Sequence, residues 1–341
     1  LHDHFANSNA SVGSQELMLL QNRLIRRYAL GNFAALAAKI TLDPAMQLFL
    51  NLNDSVKGAP NENYARELME LFTLGSGYTE HDIREAARAL TGFTYDYQRR
   101  RIFWRAENHD GGRKVIFGHR GAWFPKDVIR LCIEHPAHAR FICAKLWSYF
   151  VPVAPSRVAL KHMVNAYKHS NHELKPVLRV IFHSPQFLEN LDAPDLTKPP
   201  VVFLAGMMRS THQYVRGTSW VNHLDNMGQL PFYPPNVGGW DQDIAFLTTM
   251  SYQARSDSAY DIINALNVTD QSVPGAESAT HGLAWALRTA GEPQLRKTSR
   301  SQLVHIAKSF KRSGPDDRHA AGARRRLLLQ LALAGPDAQV H

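Results

Sequence analysis

Apolar residues recur at three- and four-residue steps along most of the chain, and this spacing limits the fold more than any other feature. Leu17, Leu20, Leu24 and Tyr28 mark one stripe, with Arg23, Arg26 and Arg27 on the other side, as in an amphipathic helix. Phe33 to Ile40 forms a further apolar segment. Asp43-Pro44 then opens a helix through Leu50, Asp as cap and Pro in the first turn. Similar openings at His135-Pro136, Ser184-Pro185 and Gly335-Pro336 predict short helices meeting at proline-marked corners, too irregular for a solenoid.

Asn61 caps a strong helix through Leu74, with Tyr64, Leu68, Leu71 and Phe72 as its core stripe and Gly75 and Gly77 at its end. Thr79 and Asp82 form a capping box for the next helix, which stops at Gly92. Between Phe93 and Gly121 the period shortens. Arg101–Trp104 and Lys114–Phe117 flank the turn residues Asn108 to Gly112, which predicts one small β-hairpin or ordered loop near 101–118. A Pro-rich aromatic loop occupies 230–240. Strands do not alternate with helices, so the expected class is all-α rather than a doubly wound sheet. The stretch 192–200 holds three prolines and is the best internal boundary, between an N-terminal helical part (1–191) and a C-terminal one (201–341). One continuous domain fits the pattern as well.

Of 341 residues, 44% are hydrophobic and 20% charged, enough for a sizeable core and against a mostly disordered chain. No apolar run is long enough for a transmembrane helix. Cys132 and Cys143 make no disulfide framework; two buried thiols are expected, or a single bridge if the protein is exported. The first residue is Leu1 rather than Met. A truncated N-terminus is expected, so the lack of a signal peptide says nothing about localisation.

The net charge of +9 is concentrated. Arg296, Lys297, Arg300, Lys308, Lys311, Arg312, Arg318, Arg324, Arg325 and Arg326 face only Asp316 and Asp317 in that segment. Such a segment reads first as a solvated helical face. It reads second as a nucleic-acid surface, with Phe310 alone available for stacking.

Three groups of residues could carry chemistry or recognition. Asn63, Glu67 and Glu70 share a helix face, and Glu67 and Glu70 are candidate acid–base residues. With His4, His109 and Asp110, and with His2 nearby in sequence, they are candidate ligands for a divalent metal such as Zn, Mn or Fe. HExxH and Glu-x-x-His pairings are absent, and Glu67 could equally pair with Arg66 or Arg88. Arg113 and Lys114, beside Gly111 and Gly112, are candidate anion-binding residues without the P-loop spacing. Phe232, Tyr233 and Trp240 could seat a partner, or pin their own loop to the body. Cys143 falls in an apolar helical stretch and makes a poor nucleophile beside His135 and His138.

Five motifs carry a family resemblance: NENYARELMELFTLG (61–75), YTEHDIREAARALTGF (78–93), HDGGRKVIFG (109–118), HPAHARFICAKLWSYFV (135–151) and GQLPFYPPNVGGW (228–240). In order and over nearly the whole length, the chain resembles the bacterial domain-of-unknown-function 1800 family. The opening HDHFA resembles a tryptophan-histidine segment that normally lies well inside those proteins, while the ending AGPDAQVH departs from their usual one. The resemblance implies a largely helical protein, often exported, with a secreted sulfatase-like protein encoded nearby. It implies a periplasmic or extracellular role with a protein partner and assigns no mechanism. The expected function is therefore binding or assembly beside a sulfatase-like partner. The alternatives are a metal-dependent enzyme and a basic nucleic-acid binder.

Overall fold

A computed structural model describes residues 1–310, 314 and 317–341. The chain is mainly α-helical, with two small antiparallel hairpins among the described residues. It divides into two compact units: Leu1–Ala193 with Phe232–Trp240, and Pro194–Pro231 with Asp241–His341. No helix among the described residues is long and apolar enough to cross a membrane.

In the first unit, side-chain caps set where helices begin. Ser14 accepts from the Leu17 N–H, Asn32 from Ala35 and Asp43 from Met46, each satisfying a donor that helical geometry leaves open. The Thr79–Asp82 capping box is reciprocal and starts Glu80–Ala89. Asn63–Glu67 continues into a π-helical turn, Leu68–Thr73, whose wider spacing brings the Leu74 and Gly75 N–H groups onto the single carbonyl of Met69. Gly75 ends it at φ +73°, where a Cβ would lie 2.7 Å from the Phe141 ring. Tyr64, Leu68 and Phe72 are buried with Phe5 and Phe33 in one continuous core. Each such aromatic stabilises by about 1.5–3 kcal/mol on burial. Cys132 and Cys143 are free and buried, and burial pushes both thiols up to about 12.

The expected single hairpin is replaced by two. Phe93–Asp96 pairs with Arg101–Trp104, and Lys114–Ile116 pairs with His119–Gly121. Each short run finds its partner across a tight local turn. Pairing the two runs with each other would have meant closing the loop that holds His109 to Gly112.

In the second unit, Arg318–Ala334 packs against Ala279–Thr289 and Thr249–Ala265, around Leu283, Leu328, Leu329 and Leu333. Arg255 is buried there and donates to the Lys198 carbonyl at 2.8 Å and Gln339 Oε1 at 3.1 Å. Its guanidinium sits 4.7 Å over the Phe203 ring.

Candidate functional site

The π-turn leaves three consecutive carbonyls at its end, and each takes a side-chain donor, one from the opening segment and two from the 135–151 motif. Lys145 Nζ donates to Leu71 at 3.2 Å, His4 Nε2 to Phe72 at 3.0 Å and His138 Nδ1 to Thr73 at 2.9 Å. A carbonyl only accepts, so these ring nitrogens carry the protons. His138 Nε2 therefore accepts from the Tyr167 hydroxyl at 2.8 Å. Burial pushes the His4 pKa well below its ordinary value and that of His138 to about 4, so both rings are neutral. His4 and His138 are thus buried cap residues of the NENYARELMELFTL helix.

Glu67 lies half-buried and Glu70 exposed on this helix. Burial, then the neighbouring Glu70 charge, raises the Glu67 pKa. Arg66 is held instead by Glu80, at 2.7 and 2.8 Å, and by Glu62 at 3.3 Å; Glu70 meets the Tyr78 hydroxyl. Neither glutamate has an ion pair with Arg66 or Arg88.

His109 and Asp110 are engaged elsewhere. The His109 ring stacks on Phe124 at 4.6 Å and meets Trp104 at 4.9 Å, and its Nδ1 donates to the Thr91 carbonyl at 2.9 Å. Asp110 accepts from Arg88 Nε at 2.7 Å and from the Gly112 N–H, and the guanidinium holds its carboxyl below the usual range. No group of three or more His, Cys, Asp or Glu among the described residues is arranged to hold a metal ion. His4, Glu67, Glu70, His109 and Asp110 are therefore not brought together as one ligand set.

Lys114 is buried, and its ammonium donates to the carbonyls of Asp110, Gly112 and Trp123. An ammonium has three donors, so none remains for the anion expected there. Arg113 is exposed.

The aromatic loop clamps the opening segment of the same unit. Trp240 is buried and its backbone N–H donates to Asp3 Oδ1 at 2.8 Å; the Tyr149 hydroxyl donates to the other oxygen of Asp3. Gly239, at φ +97°, lies so close to Asp3 that a Cβ would overlap its carboxylate. Phe232 packs edge-on against His2, and Tyr233, 43% exposed, accepts from Asn9 Nδ2 at 2.9 Å. Of the three aromatics, Tyr233 is exposed, Phe232 half-buried and Trp240 buried.

One concave surface of this unit was missed by sequence reasoning. A groove of about 380 Å³ is lined by Ala38 and Leu42, by Trp104, and by Phe124, Lys126 and Ile129. Its walls are almost wholly apolar, yet Leu42 (49%), Trp104 (38%) and Phe124 (43%) remain exposed. His109 supports Trp104 and Phe124 from behind, and Gly92 lets the Trp104 ring approach the backbone. The residues come from three stretches far apart in sequence, so no local spacing signals the groove.

In the basic segment, Arg324 and Arg325 converge on Glu277, Arg326 on Asp270 and Arg296 on Asp337. Lys297, Arg300 and Lys308 are exposed, and Lys311, Arg312 and Asp316 lie outside the described residues.

No curated protein and no solved structure matches the chain. A family model described as "Protein of unknown function (DUF1800)" matches residues 1–340. The match spans both units and all but the last residue, and the chain belongs to the DUF1800 family.

Proposed function

We propose that the protein is a binding or assembly protein that docks a partner protein through the apolar groove of its first unit. The observation that carries this reading is the exposure of Leu42, Trp104 and Phe124 around one concave apolar surface. Exposed apolar surface that lines a concavity is costly in water unless something covers it, and aromatic anchors dominate protein interfaces. Lys126 at the rim favours a partner segment that carries an apolar side chain beside a carboxylate. Tyr233 adds an exposed contact, while Phe232 and Trp240 hold its loop in place. The setting we propose, in line with the family resemblance, is that of an exported protein acting beside a secreted sulfatase-like partner.

The test is the affinity of the purified chain for that sulfatase-like neighbour, compared with Leu42→Glu and Phe124→Ala variants. Both variants should bind at least about tenfold more weakly while remaining folded. Unchanged affinity in both would remove the groove from the interface.

A second reading is acid–base or metal-dependent chemistry at Glu67 and Glu70. It draws on the raised pKa of the half-buried Glu67 carboxyl, since perturbed carboxyls cluster at functional sites.

A further inference from the structure

The second unit contains a polar cleft built on Ala279–Thr289 and Arg318–Ala334. It encloses about 330 Å³ and is lined by Glu277, His281, Trp285, Arg288 and Arg325, among others. Glu277 is 6% exposed, and its carboxylate is shared between two guanidiniums. Arg324 Nη2 reaches Oε2 at 3.1 Å, and Arg325 reaches Oε1 through Nη2 at 2.6 Å and Nε at 2.9 Å. Arg324 is 2% exposed, and its Nε has no hydrogen-bond partner among the described residues. Gly282 makes this arrangement possible: a Cβ there would lie 2.8 Å from Arg324 Nε and 2.9 Å from Glu277 Oε2.

The charges at this cleft do not balance. Glu277 supplies one negative charge, and it is the only acidic residue in the lining among the described residues. Arg288 and Arg325 in the lining supply two positive charges, the buried Arg324 against Glu277 adds a third, and Arg288 has no ion pair among the described residues. Arg325 is also fixed from below, its guanidinium 4.5 Å over the Trp285 ring. A planar guanidinium held by a carboxylate edge and an aromatic face is oriented before any ligand arrives. A concave site with unbalanced positive charge focuses its field on anions. From this geometry we infer that the cleft binds a tetrahedral oxyanion, a phosphate or sulfate group, through Arg288 and Arg325 with His281 at the mouth. Glu277 and Trp285 are positioning residues that hold Arg325 in place. The inference is independent of the groove in the first unit.

Isothermal titration of the full chain with inorganic phosphate, sulfate and acetate, at constant ionic strength set with chloride, tests it. Phosphate or sulfate should bind saturably, near one per chain. Arg288→Ala should weaken that binding at least tenfold. Lys297→Ala, an exposed cation of the same unit away from the cleft lining, should leave it unchanged. Phosphate and sulfate arms that differ identify which group the cleft prefers. Three results would overturn the inference: no saturable heat with either oxyanion, equal binding by Arg288→Ala, or an equal loss in Lys297→Ala. Saturable binding of acetate alone would overturn the tetrahedral assignment.

Discussion

His4 Nε2 donates to the Phe72 carbonyl at 3.0 Å, across 68 residues of sequence. With His138 and Lys145 it closes the end of a helix whose last turn is π-helical. Cationic side chains at that end would suit the helix dipole, but burial keeps both imidazoles neutral, so hydrogen bonding does the capping.

This capping makes the first unit sensitive to acid. The folded pKa of His138 is lowered from 6.5 to about 4, and that of His4 is lowered well below the same value. The unfolded chain therefore takes up protons first. Stability is fully present above pH 6.5 and is lost as pH falls from 6.5 to about 4. Urea denaturation at pH 7.5 and 5.5 should show this loss in the parent. His138→Gln should cost about 1–2 kcal/mol at pH 7.5 and flatten the pH dependence. An unchanged slope in that variant would contradict the role given to His138.

Lys114 holds three carbonyls inside the hairpin region. Lys114→Met should leave them unpaired and cost roughly 2–4 kcal/mol by urea denaturation. A variant as stable as the parent would show that the ammonium is not needed there.

Glu67 distinguishes the two functional readings. Its folded pKa is raised by burial and by Glu70, so its contribution to stability is present below the unfolded value and is lost as pH rises through the folded one. Without a metal, Glu67→Gln should raise the melting temperature slightly at pH 7.5. If Glu67 ligates a divalent ion, added zinc or manganese should stabilise the parent and not the variant. Thermal melts with and without each ion separate these outcomes.

Gly282 and Glu277 should act as one unit. Gly282→Ala forces a Cβ into the buried Glu277–Arg324 pair and should cost about 1–3 kcal/mol. Glu277→Gln leaves two guanidiniums without their counter-charge and should cost more, about 3–5 kcal/mol. The double variant should cost less than the sum, because the two changes remove the same contact. Strict additivity in denaturation experiments would argue against the coupling.

Local signals were legible where chemistry is local. Asp43-Pro44, Thr79–Asp82 and Ser184 announce helix starts because a cap and its donor lie within three residues. The π-turn at Leu68–Thr73 was not legible, since its apolar stripe is the same as that of an α-helix and only the carbonyl partners differ. Arg101–Trp104 and Lys114–Phe117 are legible as short β-like runs. Their pairing was not legible, because short runs without long alternation do not fix a register. The candidate metal set grouped His4, His109 and the glutamates by residue type. Burial and the carbonyls of Phe72 and Thr91 decide what those histidines do, and sequence does not show them. Glu277 and Arg325 are 48 residues apart, so their pairing had no local signature.

If the groove beside Leu42 docks a protein, a photo-reactive side chain placed in it captures that protein, and site-specific photo-cross-linking reads this out. A benzophenone side chain would replace Leu42 in the full chain, with Leu188, equally exposed on the same unit, as the control position. Each protein would be irradiated with the purified sulfatase-like protein proposed as its partner. Docking in the groove gives a one-to-one adduct mapped to position 42 and little or none from position 188. Equal yields at both positions, or no adduct at position 42 while the two proteins still co-purify, would contradict it.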